Sequence, residues 1–220
     1  MREPVGLRER KKRETRLRIA DVAMGLFMIR GFESVTVAEV ARAADVSVNT
    51  VFNYFKTKED LFLDRMDVVE DLPSQVVRER RPGESVVAAL RRDFLDALDE
   101  RHWRIGLNEG VDVFTRLINE SPSLVARVRE MAERREELLA RTLAEDADAD
   151  PDDMTPWLVA AQICAVTRRL TDHAVRRKMA GEPLDRIAAD LRVQAELAFG
   201  MLEGGIGGYG TRRPPPSASR

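Results

Sequence analysis

The segment Thr36-Val-Ala-Glu-Val-Ala-Arg-Ala-Ala-Asp-Val-Ser-Val-Asn-Thr-Val-Phe-Asn-Tyr-Phe55 decides the fold. It contains two short helical patterns separated by a tight turn. Thr36 and Glu39 have the spacing of a capping box, in which the hydroxyl oxygen accepts a free N–H at the helix start and the glutamate reaches back. Val37, Val40, Ala41 and Ala44 follow at i, i+3, i+4 and i+7, which lays them on one apolar face. The first helix should end near Ala44, Asp45-Val46 supplies the turn, and Ser47 caps the second helix. Val51 and Phe55 give that second helix an inward stripe, and the small Ala41 and Ala44 allow the two helices to cross closely. Val48, Asn49, Thr50 and Asn53 are left facing outward. This is the pattern of a helix-turn-helix, whose second helix enters the major groove and uses short polar side chains on base edges and phosphates.

Upstream, Ile19, Ala20, Ala23, Leu26 and Phe27 have helical spacing and predict a helix over residues 15–30, with Gly31 at its C-terminal cap. Downstream, Thr57 caps a pattern running through Leu61, Phe62, Met66 and Val69, which Pro73 should kink or end. With these flanks, residues 8–66, and above all the stretch from Phe32 to Leu61, resemble the DNA-binding domain of the TetR family. Gly31-Phe32 matches the end of the family's first helix, and Thr36 matches the start of its second. Val46-Ser47 and Thr50 match the start of the recognition helix, Tyr54-Phe55 its end, and Thr57-Lys58 with Leu61 the helix after it. Two positions depart from the pattern. Asp45 stands where the turn usually has Gly, and Asp tolerates the left-handed backbone better than most residues. Phe52 stands where the family has Tyr, so a hydroxyl is missing, although the ring can still touch a thymine methyl. The resemblance implies that Thr36, Ser47, Thr50, Tyr54 and Lys58 anchor phosphates and that Val48, Asn49, Phe52 and Asn53 face the bases. Thr36, Ser47 and Thr57 also read simply as helix caps, and Tyr54 as a core aromatic.

Charge supports a polyanionic partner at this end. The 220-residue chain has a net charge of −2, yet residues 1–20 carry eight Arg or Lys against three Glu. Residues 1–66 together sum to +3 and the remainder to −5. A basic arm over residues 1–14 ahead of a helix-turn-helix over 15–66 fits an electropositive face on an acidic body.

The rest of the chain is helical in pattern. Ala, Leu, Arg and Glu dominate, aromatic residues make up only 5%, and no run of alternating β-branched residues occurs, so an all-α protein is expected. Pro82-Gly83 breaks the chain. Val87, Leu90, Phe94 and Leu98 then form one helical face, and Val111, Phe114 and Ile118 another. Ser121-Pro122 starts a helix through Leu124, Val128, Met131 and Leu138. Two long helices follow, over 156–180 and 184–203, and a Gly-, Pro- and Ser-rich tail over 204–220 is expected to be disordered. A helical domain over 67–203 that binds a ligand and dimerises is the architecture the resemblance implies. The last two helices would build a four-helix, two-fold interface, with the seam from Leu184 to Leu202, Leu191 and Ala195 included, as its contact.

Within that domain Phe94, Trp103, Phe114, Met131, Trp157 and Cys164 are candidates to line a cavity for a small, largely apolar ligand, although each taken singly reads first as plain core. Arg168 could grip an anionic ligand, or Arg168 and Arg169 could form salt bridges at an interface. Cys164 is the only cysteine, so neither a disulfide nor a cysteine zinc cluster can form; His102 and His173 lie far apart, and no metal or cofactor is expected. The chain lacks a phosphate loop, a nucleophile elbow and a zinc-protease helix, which argues against an enzyme. No apolar run approaches a membrane span, so a cytoplasmic protein is expected, with no membrane partner. Two readings remain for a regulator held on a palindromic operator as a homodimer. In one a ligand releases it, and repression is the family's commoner mode; in the other the C-terminal domain serves assembly alone.

Overall fold

The computed structural model describes residues 6–211. Among these residues every regular element is a helix, as expected. The chain divides into two compact units, one of residues 6–67 with 113–128 and one of 68–112 with 129–211.

The first unit starts with α1 (Leu7–Arg30), α2 (Val37–Ala43), α3 (Val48–Tyr54), α4 (Lys58–Phe62) and α5 (Asp64–Val68). Helix α1 begins at Leu7, eight residues ahead of the expected start at Thr15, so the basic arm is helical from there. Its polar first turns hid it from a reading based on apolar spacing. Ile19, Ala23 and Phe27 of α1 are fully buried with Val35, Val40 and Phe55. Phe27, Phe32 and Phe62 meet with ring centroids 5.2 to 5.5 Å apart. The helix expected to run on from Thr57 is interrupted at Leu63. Directly after the break, the buried Asp64 receives Arg16 of α1 at 2.6 and 2.9 Å. A carboxylate so buried needs such a partner, and Arg16 also lies over the Phe55 ring.

Helix α6 (Leu72–Arg78) follows, with Pro73 at its first turn. Pro73 therefore starts a helix rather than kinking one, since its missing N–H is unneeded there. Then come α7 (Val86–Asp99), a 3-10 turn (Trp103–Ile105), α8 (Val111–Glu120), α9 (Pro122–Ala147), α10 (Thr155–Met179) and α11 (Leu184–Ile206). The first unit takes most of α8 and the start of α9. Phe114 stacks on Phe62 at 4.8 Å, Ser121 donates to Glu33 at 2.6 Å, and Arg127 pairs with Asp60 at 3.0 Å.

In the second unit α7, α10 and α11 pack around one core, joined by Leu139, Ala140 and Leu143 of α9. The apolar seam expected to hold a dimer lies inside this core. Ile187, Leu191, Ala195 and Phe199 are fully buried, and Leu202 is buried as well. The large apolar side chains left exposed on α11 are Val193, Leu197 and Met201, a separate stripe at i, i+4 and i+8. The tail also begins later than Gly204. Helix α11 continues to Ile206, Tyr209 packs against the core, and the carbonyl of Gly210 accepts from Arg80 at 3.1 Å. Arg80 is itself buried and pairs with Asp146. The expectation for 212–220 lies outside the described residues. Among the described residues no helix is long and apolar enough to cross a membrane.

Candidate nucleic-acid interface

Helices α2 and α3 join through a turn whose geometry the sequence sets. Asp45 adopts φ 53°, the left-handed region in which it replaces the usual Gly. The Val46 N–H donates to the Ala41 carbonyl at 3.0 Å and the Asp45 N–H to the Arg42 carbonyl at 3.2 Å. Ala41 and Ala44 are buried where the helices cross, and Val51 anchors α3 from below.

That anchoring leaves Val48, Asn49, Phe52 and Asn53 exposed together. Positions i, i+1, i+4 and i+5 of a helix share one face. All four base-facing candidates thus lie on one side, and Phe52 and Val48 are apolar residues left open to solvent in a helix of only seven residues.

The phosphate candidates differ in what their polar atoms are free to do. The Thr36 oxygen accepts from the Glu39 N–H at 3.2 Å, while its own proton goes to the Glu39 carboxylate at 2.8 Å. The closed box leaves Thr36 no donor for a phosphate. The Glu39 carboxylate is held down to about 2, first by the Thr36 N–H and then by the Arg30 guanidinium, which lies 2.8 Å away. The Ser47 oxygen accepts from the Thr50 N–H at 3.0 Å, and the two hydroxyls meet at 2.8 Å. One proton suffices for that contact, so one hydroxyl of the pair keeps a donor. Thr57 caps α4 as expected. The Lys58 ammonium sits 4.2 Å above the Phe32 ring and 3.5 Å from the Glu33 carbonyl. It covers the aromatic core as well as carrying charge.

Tyr54 is half-buried, and its surroundings were not foreseen from the sequence. It lines one groove together with Glu9, Lys12, Arg13 and Arg16 of α1. Arg16 is committed to Asp64, which leaves Lys12 and Arg13 as exposed cations beside the tyrosine. Two cations and a phenol suit a phosphate. The only sequence signal for this groove was the basic run from Arg8 to Arg18, which does not reveal the tyrosine it would join.

The candidates for a ligand cavity separate. Phe114 belongs to the first unit, stacked on Phe62. Phe94 is buried in the second core against Phe199, with centroids 5.8 Å apart. Trp103 lies in the 3-10 turn beside His102, at 5.4 Å. Met131 of α9 is buried, while Trp157 and Arg168 of α10 are exposed. Cys164 is half-buried, its thiol pushed up to about 11 by burial above all. Among the described residues no cluster of three metal-ligating side chains occurs.

A short capped helix crossing a second one, with an outward face of contact residues and cations beside it, defines a helix-turn-helix DNA-binding protein. Comparison with known proteins identifies the lineage. Residues 19–64 match the family model described as bacterial regulatory proteins, tetR family, and residues 84–196 match the MftR C-terminal domain. The chain is 34% identical over 170 residues to the HTH-type transcriptional regulator TcmR of Streptomyces glaucescens, covering 74% of each chain. It is 37% identical over 62 residues to the HTH-type transcriptional regulator AcrR of Shigella flexneri, 28% of this chain and 29% of that one. Among solved structures, a SmeT–triclosan complex superposes with a TM-score of 0.56 at 18% identity, covering 92% of this chain and 98% of that one. FadR of Bacillus subtilis in complex with stearoyl-CoA superposes at 0.51 with 18% identity, covering 83% and 97%. The chain belongs to the TetR family of transcriptional regulators. It is a DNA-binding regulator, and its relatives are regulators rather than enzymes.

Proposed function

We propose that the chain acts as a two-fold homodimer that holds a palindromic operator, one α3 per half-site, and that a small, largely apolar ligand bound in the 84–180 region releases it. The observation that carries the DNA reading is the common exposed face of Val48, Asn49, Phe52 and Asn53. Asn49 and Asn53 can pair with adenine edges, and Val48 and Phe52 can meet thymine methyls. The Ser47–Thr50 pair, Lys58, and Lys12 and Arg13 beside Tyr54 serve the phosphates. Thr36 acts as a helix cap.

The homodimer reading rests on exposed apolar surface. Val193, Leu197 and Met201 of α11 stand in solvent at 61 to 73% exposure, beside Gly200 and Gly204, where a Cβ would meet nothing. Met154 at the N-cap of α10 and Leu158 within it are open as well. Such faces on two helices suit a second copy meeting them across a two-fold axis.

Release by a ligand follows from connectivity. The chain passes between the two units at three points, two of them within α8 and α9. A ligand acts only through unequal affinity for the states with and without operator, and a coupling of about 1–3 kcal/mol would weaken DNA binding about 5- to 150-fold. The structural neighbours bound to triclosan and to stearoyl-CoA are consistent with an apolar effector. Sedimentation on operator DNA should give two chains per duplex. A compound that quenches Trp157 should bind more weakly when operator is present. One chain per duplex, or equal ligand affinity in both conditions, would contradict the reading.

A further inference from the structure

In the first unit a cleft opens between α1 and the junction of α4 with α5. Leu17, Ala20 and Met24 follow one another on α1 at i, i+3 and i+7 and line one side of it. Leu61 and Phe62 at the end of α4 and Asp64 at the start of α5 line the other, on both sides of the interruption at Leu63. The cleft has a volume of about 140 Å³. An apolar cavity of about 150 Å³ holds a benzene ring. Leu17 is left 53% exposed, an apolar side chain that packing within α1 does not cover.

Asp64 gives the cleft its chemistry. The residue is only 4% exposed, and both hydrogen bonds from Arg16 fall on one oxygen, Oδ1, at 2.6 and 2.9 Å. Among the described residues Oδ2 receives no hydrogen bond, yet it is not sealed inside protein. A carboxylate has room for about four donors, and a buried acceptor left without one is costly. Because Asp64 lines the cleft, Oδ2 is offered to whatever fills it. Charge is already balanced there. Arg16 matches Asp64, and Arg65 matches the exposed Asp21 at 3.2 Å. A neutral O–H or N–H therefore completes Asp64 without adding a charge that lacks a partner.

We propose that this cleft is a ligand site of the DNA-binding unit for an uncharged, ring-sized apolar molecule bearing one hydrogen-bond donor, the class of phenol. The donor meets Asp64 Oδ2, and the body lies against Leu17, Met24 and Phe62. The site is separate from the 84–180 region and does not depend on a ligand acting there. Its occupant joins α1, which carries Lys12 and Arg13, to α4, which carries Lys58. Arg16, which holds Asp64 from the other side, also lines the Tyr54 groove.

Phenol and toluene, which differ by a hydroxyl against a methyl, test this on the full-length protein. Methionine methyl NMR reads occupancy at the cleft itself through Met24, with Met24→Leu assigning the signal. Phenol should shift that signal saturably and bind about tenfold more tightly than toluene, whose methyl leaves Oδ2 without a donor. Benzoate should leave the signal in place. Asp64→Asn keeps an oxygen for Arg16 and turns the other position into a donor. It should abolish the preference for phenol and retain toluene. Ala20→Leu, which fills the cleft from α1 and leaves Asp64 intact, should remove the response to both probes. The comparison of probes on the natural chain needs neither variant to fold. No saturable shift at Met24, equal affinity for the two probes, benzoate binding as tightly as phenol, or a preference that survives Asp64→Asn would overturn the proposal. A response confined to Met131, Met154 and Met179 would also overturn it, since it would place phenol in the 84–180 region alone.

Discussion

Helices α3 and α11 both carry apolar residues on two faces, and the two faces mean different things in each. In α3, Val51 is buried while Val48 and Phe52 are exposed, and the exposed pair stands beside Asn49 and Asn53. In α11, Leu191, Ala195 and Phe199 are buried while Val193, Leu197 and Met201 are exposed beside glycines. Polar neighbours make the first surface suited to DNA, and small neighbours make the second suited to another helix. An exposed apolar residue therefore gains its meaning from what flanks it.

Placing one charge on each face of α11 would break this comparison most sharply. Leu191→Asp puts a carboxylate in a sealed core and should cost about 3–5 kcal/mol, seen as loss of the cooperative thermal transition. Leu197→Asp should keep the helical spectrum and yield a monomer by light scattering. If Leu197→Asp keeps the dimer mass, the exposed stripe is not the contact. Next in size is the groove beside Tyr54. Replacing both Lys12 and Arg13 by Ala should lower the salt slope of DNA binding by about two, one per lost phosphate contact, with no change in sequence preference. An unchanged slope would remove α1 from the interface.

Smaller effects sharpen the account of α2. Thr36→Ala should destabilise the first unit by about 1 kcal/mol, read by denaturant midpoint, because it opens the capping box. The Glu39 carboxyl is depressed from 4.5 to about 2 in the fold. Its contribution to stability should therefore be complete above about pH 4.5 and fade as pH falls towards 2. Glu39→Gln should flatten that acid-side loss in a pH series of thermal melts. An unaltered slope would mean that the carboxylate contributes nothing there.

The helix-turn-helix was legible in sequence because its determinants are local. Caps at Thr36, Ser47 and Thr57 lie within three residues of what they cap. The all-α class and the long helices α7, α9, α10 and α11 were legible from periodicity. Orientation was not. Helix α11 has two apolar stripes, and nothing local tells which meets its own subunit, so Leu191 and Ala195 were assigned outward when they point in. The pairing of Phe114 with Phe62, and of Tyr54 with Lys12 and Arg13, joins residues 40 or more apart, beyond the reach of spacing rules. The start of α1 at Leu7 was hidden because residues 8–14 are polar and exposed, leaving no apolar period there to read.

In the proposed complex α3 reads DNA as one of a two-fold pair through the face of Asn49. Selecting bound duplexes from a random pool, with the natural chain and with Asn49→Ala in parallel, tests it directly. The natural chain should recover a palindrome whose half-sites are centred one helical turn or a multiple apart. Asn49→Ala should recover the same spacing with preference relaxed by about 1–3 kcal/mol at one symmetric pair of positions. A consensus without two-fold symmetry, or one that Asn49→Ala leaves untouched, would contradict the account.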